Sequence, residues 1–289
     1  MKILSILSSL IALNCSPKTE NKLPKNDSLK VEFTLPKKLK EVSGIAISQD
    51  QKTIWAIEDH GNKNKVYGLD RNGKLIADVK VENSENNDWE EITKDASGNL
   101  YIGDFGNNDN NRQDLVILKL DLQSPSQNST KVIQKTHFYY EGQTEFPPKK
   151  SKLLYDCEAF IEKDGNFYLF TKNRSKGFDG TFLVYKIPNK EGTFQAKLVG
   201  TLQLDGNYDN AAITGASINT KNQIVLLTHK NIFLLTQFSE NDFSKAKIDK
   251  FSLEHNSQKE AIDFLSDKTL LIADEKNKEE GGLIYSFDL

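Results

Sequence analysis

The chain has 289 residues, enough for two domains of ordinary size or for one large all-β barrel or propeller. Its 38 Lys and Arg stand against 41 Asp and Glu, a net charge of −3, and this balance excludes the clustered basic surface of a nucleic-acid-binding protein. With 16 Phe and 9 Tyr it can bury a core, which excludes a disordered polymer.

The first fifteen residues, MKILSILSSLIALNC, carry Lys2 ahead of an apolar run from Ile3 to Leu13. That run is too short to span a bilayer, so residues 1–14 are expected to be a signal peptide. Cys15 closes the run and resembles the lipobox cysteine of bacterial lipoproteins, although Ala12 and Leu13 depart from the usual residues. The reading expects lipidation at Cys15 and a membrane-anchored, exported protein of the bacterial cell envelope, at the outer membrane. The alternative is ordinary secretion with an incidental cysteine. Residues 15–28 are polar and Pro-containing, as suits a tether. Cys157 then has no partner for an intramolecular disulfide, and its apolar flanks read as core.

From residue 29 onward no helical period is sustained, and short apolar runs alternate with Gly, Asn, Asp and Lys turns. LKVEFTL at 29–35 is a lone strand. Five repeats follow, each opening on a first strand: SGIAIS from Ser43, EEITKD from Glu90, EAFIEK from Glu158, TGASIN from Thr214 and EAIDFL from Glu260. Second strands end at Asp59, Asp104, Thr171, Thr228 and Asp274. The spacing of first to second anchor is 14 residues for Glu90–Asp104, Thr214–Thr228 and Glu260–Asp274, 13 for Glu158–Thr171 and 16 for Ser43–Asp59. All units have a third strand, but the fifth has no fourth. The pattern predicts one all-β domain over 29–289, a β-propeller of five four-stranded blades whose last blade is completed by the amino-terminal strand. Residues 142–155 fit a loop or, in the alternative, a piece of a sixth blade.

In such a ring the anchors share one level of the channel, with Glu41, Asp88, Glu91 and Asp156 close by. Converging carboxylates repel, and a hard cation relieves the repulsion. Glu90, Glu158, Glu260, Asp104 and Asp59 are therefore candidate Ca²⁺ ligands, with Asn62, Asn107 and Asn108 as supplementary oxygens. The bland alternative is that the anchors accept hydrogen bonds from neighbouring backbone. Asp88 and Asp156 are further candidates. Arg112 suits either bidentate pairing with a neighbouring Asp or anchoring of a phosphate. His60 and His229 are placed to share a face with Lys172 and Arg174. No Gly-x-Ser-x-Gly elbow, phosphate loop or zinc-spaced histidine pair is present.

The strings EVSGIA, IWAIEDHGN, DWEEI and GDFGNN, followed by DCEAF and FYLFTKNR, resemble the SdiA-regulated and esterase-like-phytase group of secreted β-propellers. The resemblance covers residues 41–175 and implies an envelope propeller that binds Ca²⁺ through acidic channel positions. Ser43 and Thr214 interrupt a complete acidic ring. The expected function is a module that binds a protein, glycan or small-molecule ligand. The alternative is a metal-dependent ester or phosphoester hydrolase.

Overall fold

Alternating apolar residues build twenty strands among the described residues, which in this computed structural model are 29–122, 124–277 and 280–289. The expected signal peptide, Cys15 and the tether lie outside them. Strand β1 is Lys30–Thr34. Then come β2 (Val42–Ile47), β3 (Ile54–Glu58), β4 (Lys65–Leu69) and β5 (Leu75–Glu82). A second meander comprises β6 (Trp89–Lys94), β7 (Leu100–Asp104), β8 (Val116–Leu120) and β9 (Ser129–Tyr140). The third is β10 (Asp156–Lys163), β11 (Asn166–Lys172), β12 (Thr181–Pro188) and β13 (Gly192–Gln203). After a helical turn, α1 (Tyr208–Ala211), the fourth is β14 (Gly215–Ile218), β15 (Ile224–Leu227), β16 (Asn231–Thr236) and β17 (Lys247–Ser252). The last run is β18 (Lys259–Phe264), β19 (Thr269–Asp274) and β20 (Leu283–Asp288).

Strand β1 pairs antiparallel with β20, so the amino-terminal strand does complete the last four-stranded unit. Residues 142–155 contribute no strand, and α1 is a single turn capped by Asn207 that the sequence pattern did not signal. Parallel ladders from β9 to β5 and to β13 merge the first three meanders into one twelve-stranded sheet, while the other two remain four-stranded sheets.

Strands β2, β10 and β18 are buried on both faces, because alternate residues serve different cores. In β2, Ala46 joins a cluster with Trp89 and Ile102, while Ile45 and Ile47 join Leu271 and Ile284. Each of the five apolar clusters is shared by two meanders. Cys157 is buried in one of them, as its flanks suggested. The first strands also touch in succession: β2 with β6, β6 with β10, β10 with β14, β14 with β18, and β18 with β2.

Polar ties hold the space between these strands. Glu91 on β6 accepts hydrogen bonds from its neighbour Ile92 N (2.9 Å) and from Ala216 N on β14 (3.2 Å). Asp263 on β18 accepts from Ile47 N at 2.7 Å and Ser217 Oγ at 2.6 Å, and pairs with Lys94. The packing admits no side chain at Gly44, where a Cβ would lie 2.6 Å from Ile92 N and 2.8 Å from Glu91 Oε1. Glu91 is fully buried. Glu91→Ala removes two acceptors and leaves a void, so it should lower the unfolding free energy by about 3 kcal/mol. Urea denaturation measures this, and a loss below about 0.5 kcal/mol would show that the tie is dispensable.

Candidate cation and ligand site

Four of the five anchors are extra residues in their strands. Val42 faces Glu58 and Gly44 faces Ile57, leaving Ser43 as the bulge. Glu90, Glu158 and Glu260 sit at the corresponding register shifts between β6 and β7, β10 and β11, and β18 and β19. Thr214 just precedes β14, and its N–H reaches Leu227 O at 2.9 Å although Leu227 already faces Gly215. A bulge re-aims the side chain it inserts. All five anchors consequently line one cavity of about 230 Å³.

Their chemistry then diverges. Ser43 Oγ donates to Trp89 O and Thr214 Oγ1 to Lys259 O, each at 2.7 Å. The hydroxyl anchors thus tie a meander to the next one, as donors rather than the acceptors expected from sequence. Glu158 is paired twice, with Arg174 Nη2 at 2.5 Å and Lys172 Nζ at 3.0 Å. Arg174 also holds Asp156 at 2.6 Å and donates to Tyr208 Oη at 2.7 Å. Glu260 lies 3.0 Å from His229 Nε2.

Glu90 differs from all of these. It is 7% exposed, yet its carboxylate makes no hydrogen bond or ion pair with any described residue. One oxygen each from Glu90, Asp59 and Asp88 lies within 4.8 Å of the other two. Burial raises the carboxyl of Glu90 well above its usual range, and the charges of Glu158, Asp59 and Asp88 add to that. Burial and the Asp59 charge push Asp88 up to about 7, against the pull of Arg112. Asp59 is raised by burial too, partly offset by the His60 N–H.

The loop after β7 presses on this trio. Phe105 N and Gly106 N donate to Asp88 O, each at 3.2 Å. A Cβ on Gly106 would lie 2.2 Å from Glu90 Oε1 and 2.4 Å from Asp88 Oδ2, so only glycine leaves room for the two carboxylates. An all-oxygen set with an unpartnered buried carboxylate and a glycine cradle fits a hard cation of the Ca²⁺ kind. Asp59, Asp88 and Glu90 would hold it.

The remaining candidates are placed elsewhere in the same region. Asp104 accepts from Arg112 Nη2 at 2.9 Å and from Asp88 N at 3.2 Å, so it positions Asp88 and stands outside the trio. Arg112 also donates to Gly106 O at 2.9 Å and Asp114 at 3.0 Å, which is the pairing role rather than a phosphate anchor. Asn107 serves the loop by accepting from Arg112 N at 2.8 Å, whereas Asn108 faces the cavity. Asn62 donates to Glu41 at 2.7 Å. Asp156 is pushed up to about 6 by burial and Glu158, with Arg174 opposing. His60 is exposed, its Nδ1 2.6 Å from Asn87 O, and that carbonyl and Asp88 raise it. Lys172, Arg174 and His229 share the cavity wall, whereas His60, expected on the same face, does not line it. Sequence reasoning missed Gly106, Tyr208, Gln258 and Glu275. The last is raised to about 8 by burial and by Glu260, Asp59 and Glu41.

These shifts fix a sign. A carboxyl raised in the fold holds a proton that the unfolded chain releases, so its contribution is present below the unfolded value and lost as pH rises through the folded one. Cation-free protein should lose stability between about pH 4 and pH 8. Asp88→Asn should flatten that slope in thermal melts with chelator, and an unchanged slope would contradict the assignment. Gly106→Ala should displace Asp88 and Glu90 and weaken Ca²⁺ affinity by at least about tenfold, read by calorimetry. Wild-type affinity in this variant would remove the cradle from the account.

With this geometry in hand, comparison places the chain among known proteins. The family described as SdiA-regulated matches residues 26–144, the part that carries Asp59, Asp88, Glu90 and Gly106. The resemblance seen in the motifs therefore holds there. No curated protein matches the chain. An aldose sugar dehydrogenase from Streptomyces coelicolor, solved with PQQ bound, is 10% identical with a TM-score of 0.53, over 90% of this chain and 98% of that one. The gluconolactonase XC5397 from Xanthomonas campestris is 12% identical with a TM-score of 0.50, over 92% and 96%. Virginiamycin B lyase from Staphylococcus aureus is 14% identical with a TM-score of 0.39, over 86% of this chain, which spans 66% of that one's length. The first two likenesses show the fold, an all-β architecture of the propeller type.

Proposed function

We propose that this chain is a cation-dependent binding module of the bacterial cell envelope, a five-bladed propeller that holds Ca²⁺ at its acidic mouth. The observation that carries the reading is the buried, unpartnered carboxylate of Glu90 beside Asp59 and Asp88. A buried carboxylate raised by two neighbouring ones, as Glu90 is by Asp59 and Asp88, is an arrangement a divalent cation stabilises. The cyclic order of first-strand contacts and the pairing of β1 with β20 support five blades. In this reading Cys15 carries the lipid anchor at the outer membrane, residues 15–28 are the tether, and the mouth meets a protein, glycan or small-molecule ligand.

When bound, the cation would polarise or orient a ligand oxygen. The chain's own residues do the rest: Asp104 and Arg112 fix Asp88, and Gly106 keeps the oxygens close. At saturating Ca²⁺, about a hundredfold above Kd, the melting temperature should rise by roughly 5 °C or more. Glu90→Gln should abolish that rise. Equal melting temperatures with Ca²⁺ and with chelator would overturn the reading.

The His229–Glu260 contact in the same cavity favours a second reading, a metal-dependent ester or phosphoester hydrolase. An imidazole oriented by a carboxylate is a usable general base. Aryl-ester turnover lost both to chelation and to His229→Ala would establish it.

A further inference from the structure

We infer that the mouth selects a small, neutral, hydroxyl-rich ligand and rejects anions, an inference that deepens the binding-module reading above and rests on it. The cavity is lined by five carboxylates, Asp59, Glu90, Glu158, Glu260 and Glu275, and by three basic side chains, Lys172, Arg174 and His229. Every one of those basic groups is already engaged: Lys172 and Arg174 with Glu158, Arg174 also with Asp156, and His229 with Glu260. Nearby Arg112 is likewise closed by Asp104, Asp114 and Gly106 O. None of them offers a free charge to a phosphate or carboxylate. The carboxylates of Glu90, more than nine-tenths buried, and of Glu275 have no hydrogen-bond or ion-pair partner among the described residues. With every one of these basic side chains already engaged, an entering anion finds no free cationic partner, which a neutral ligand does not need.

What the wall does offer is neutral hydrogen-bonding capacity. The Asn108 side-chain amide makes no hydrogen bond with described residues, so both its donor and acceptor face are available. Tyr208 Oη accepts from Arg174 Nη1 and keeps its own proton for a ligand. Gln258 Oε1 accepts from Asn277 at 3.3 Å, which leaves its NH₂ group free. Donors and acceptors so mixed match hydroxyl groups, which do both. The volume of about 230 Å³ lies below the roughly 300–1,000 Å³ typical of drug-sized ligands and suits a single sugar or polyol.

The test is calorimetric titration of the Ca²⁺-loaded protein near neutral pH with D-glucose, myo-inositol and xylitol, and with inorganic phosphate and glucose phosphate. At least one neutral probe should bind, and Asn108→Ala or Gln258→Ala should weaken it by about fivefold without changing the melting temperature. Glucose phosphate should bind at least about tenfold more weakly than glucose. Tighter binding of the phosphorylated probe, or no polyol binding by protein that still takes up Ca²⁺, would overturn the inference. Polyol binding that survives in protein unable to bind Ca²⁺ would overturn the cation reading alone. Loss of both would overturn both.

Discussion

One extra residue near the start of four of the five first strands governs the site. A strand's side chains alternate between its faces, and in β2, β10 and β18 both faces are already filled by apolar residues shared with neighbouring meanders. The bulge releases a single side chain from that alternation and aims it at the common cavity. Without it Glu90 and Glu158 would be forced into apolar packing, where a charge cannot persist unpaired. The polar mouth is thus a consequence of register, bought without disturbing the core.

Once the anchors converge, their charges must be compensated, and each sector does this differently. Two positions avoid the problem by using hydroxyls, Ser43 and Thr214, which bind the backbone of the next meander. Glu158 is compensated internally by Lys172 and Arg174, and Glu260 Oε1 is met by His229 Nε2. In the sector around Glu90 no basic side chain among the described residues pairs with its carboxylate, and Arg112 is engaged by Asp104 and Asp114. A repeated scaffold therefore ends in an asymmetric site. That asymmetry is what the proposed cation site rests on, in contrast to the paired sectors of the repeat.

Much of this was legible from the chain. The repeat register is carried by short-range alternation and turn residues, and the anchor spacing follows from it, so the units and the convergence of Glu90, Glu158 and Glu260 could be read. The compensation could not. Whether Asp104 faces a cation or Arg112 depends on the path of the loop through Asn107 and Asn110, whose side chains hold that loop to its own backbone and to Tyr155. Asp88 and Asp59 were visible as acids, but their grouping with Glu90 follows from three-dimensional approach around Gly106. Glu275 and Tyr208 lie in connections with no repeat register to place them. The second glycine of GDFGNN, Gly106, was an available signal, since a glycine just after the acidic end of a strand can mark a close approach of the backbone.

The account's central claim is tested most directly by diffraction from crystals of this protein grown with Ca²⁺. It predicts an anomalous peak with carboxylate oxygens of Asp59, Asp88 and Glu90 at about 2.3–2.6 Å. A peak elsewhere in the cavity, or a trio whose oxygens hold only one another and water in saturating Ca²⁺, would contradict it.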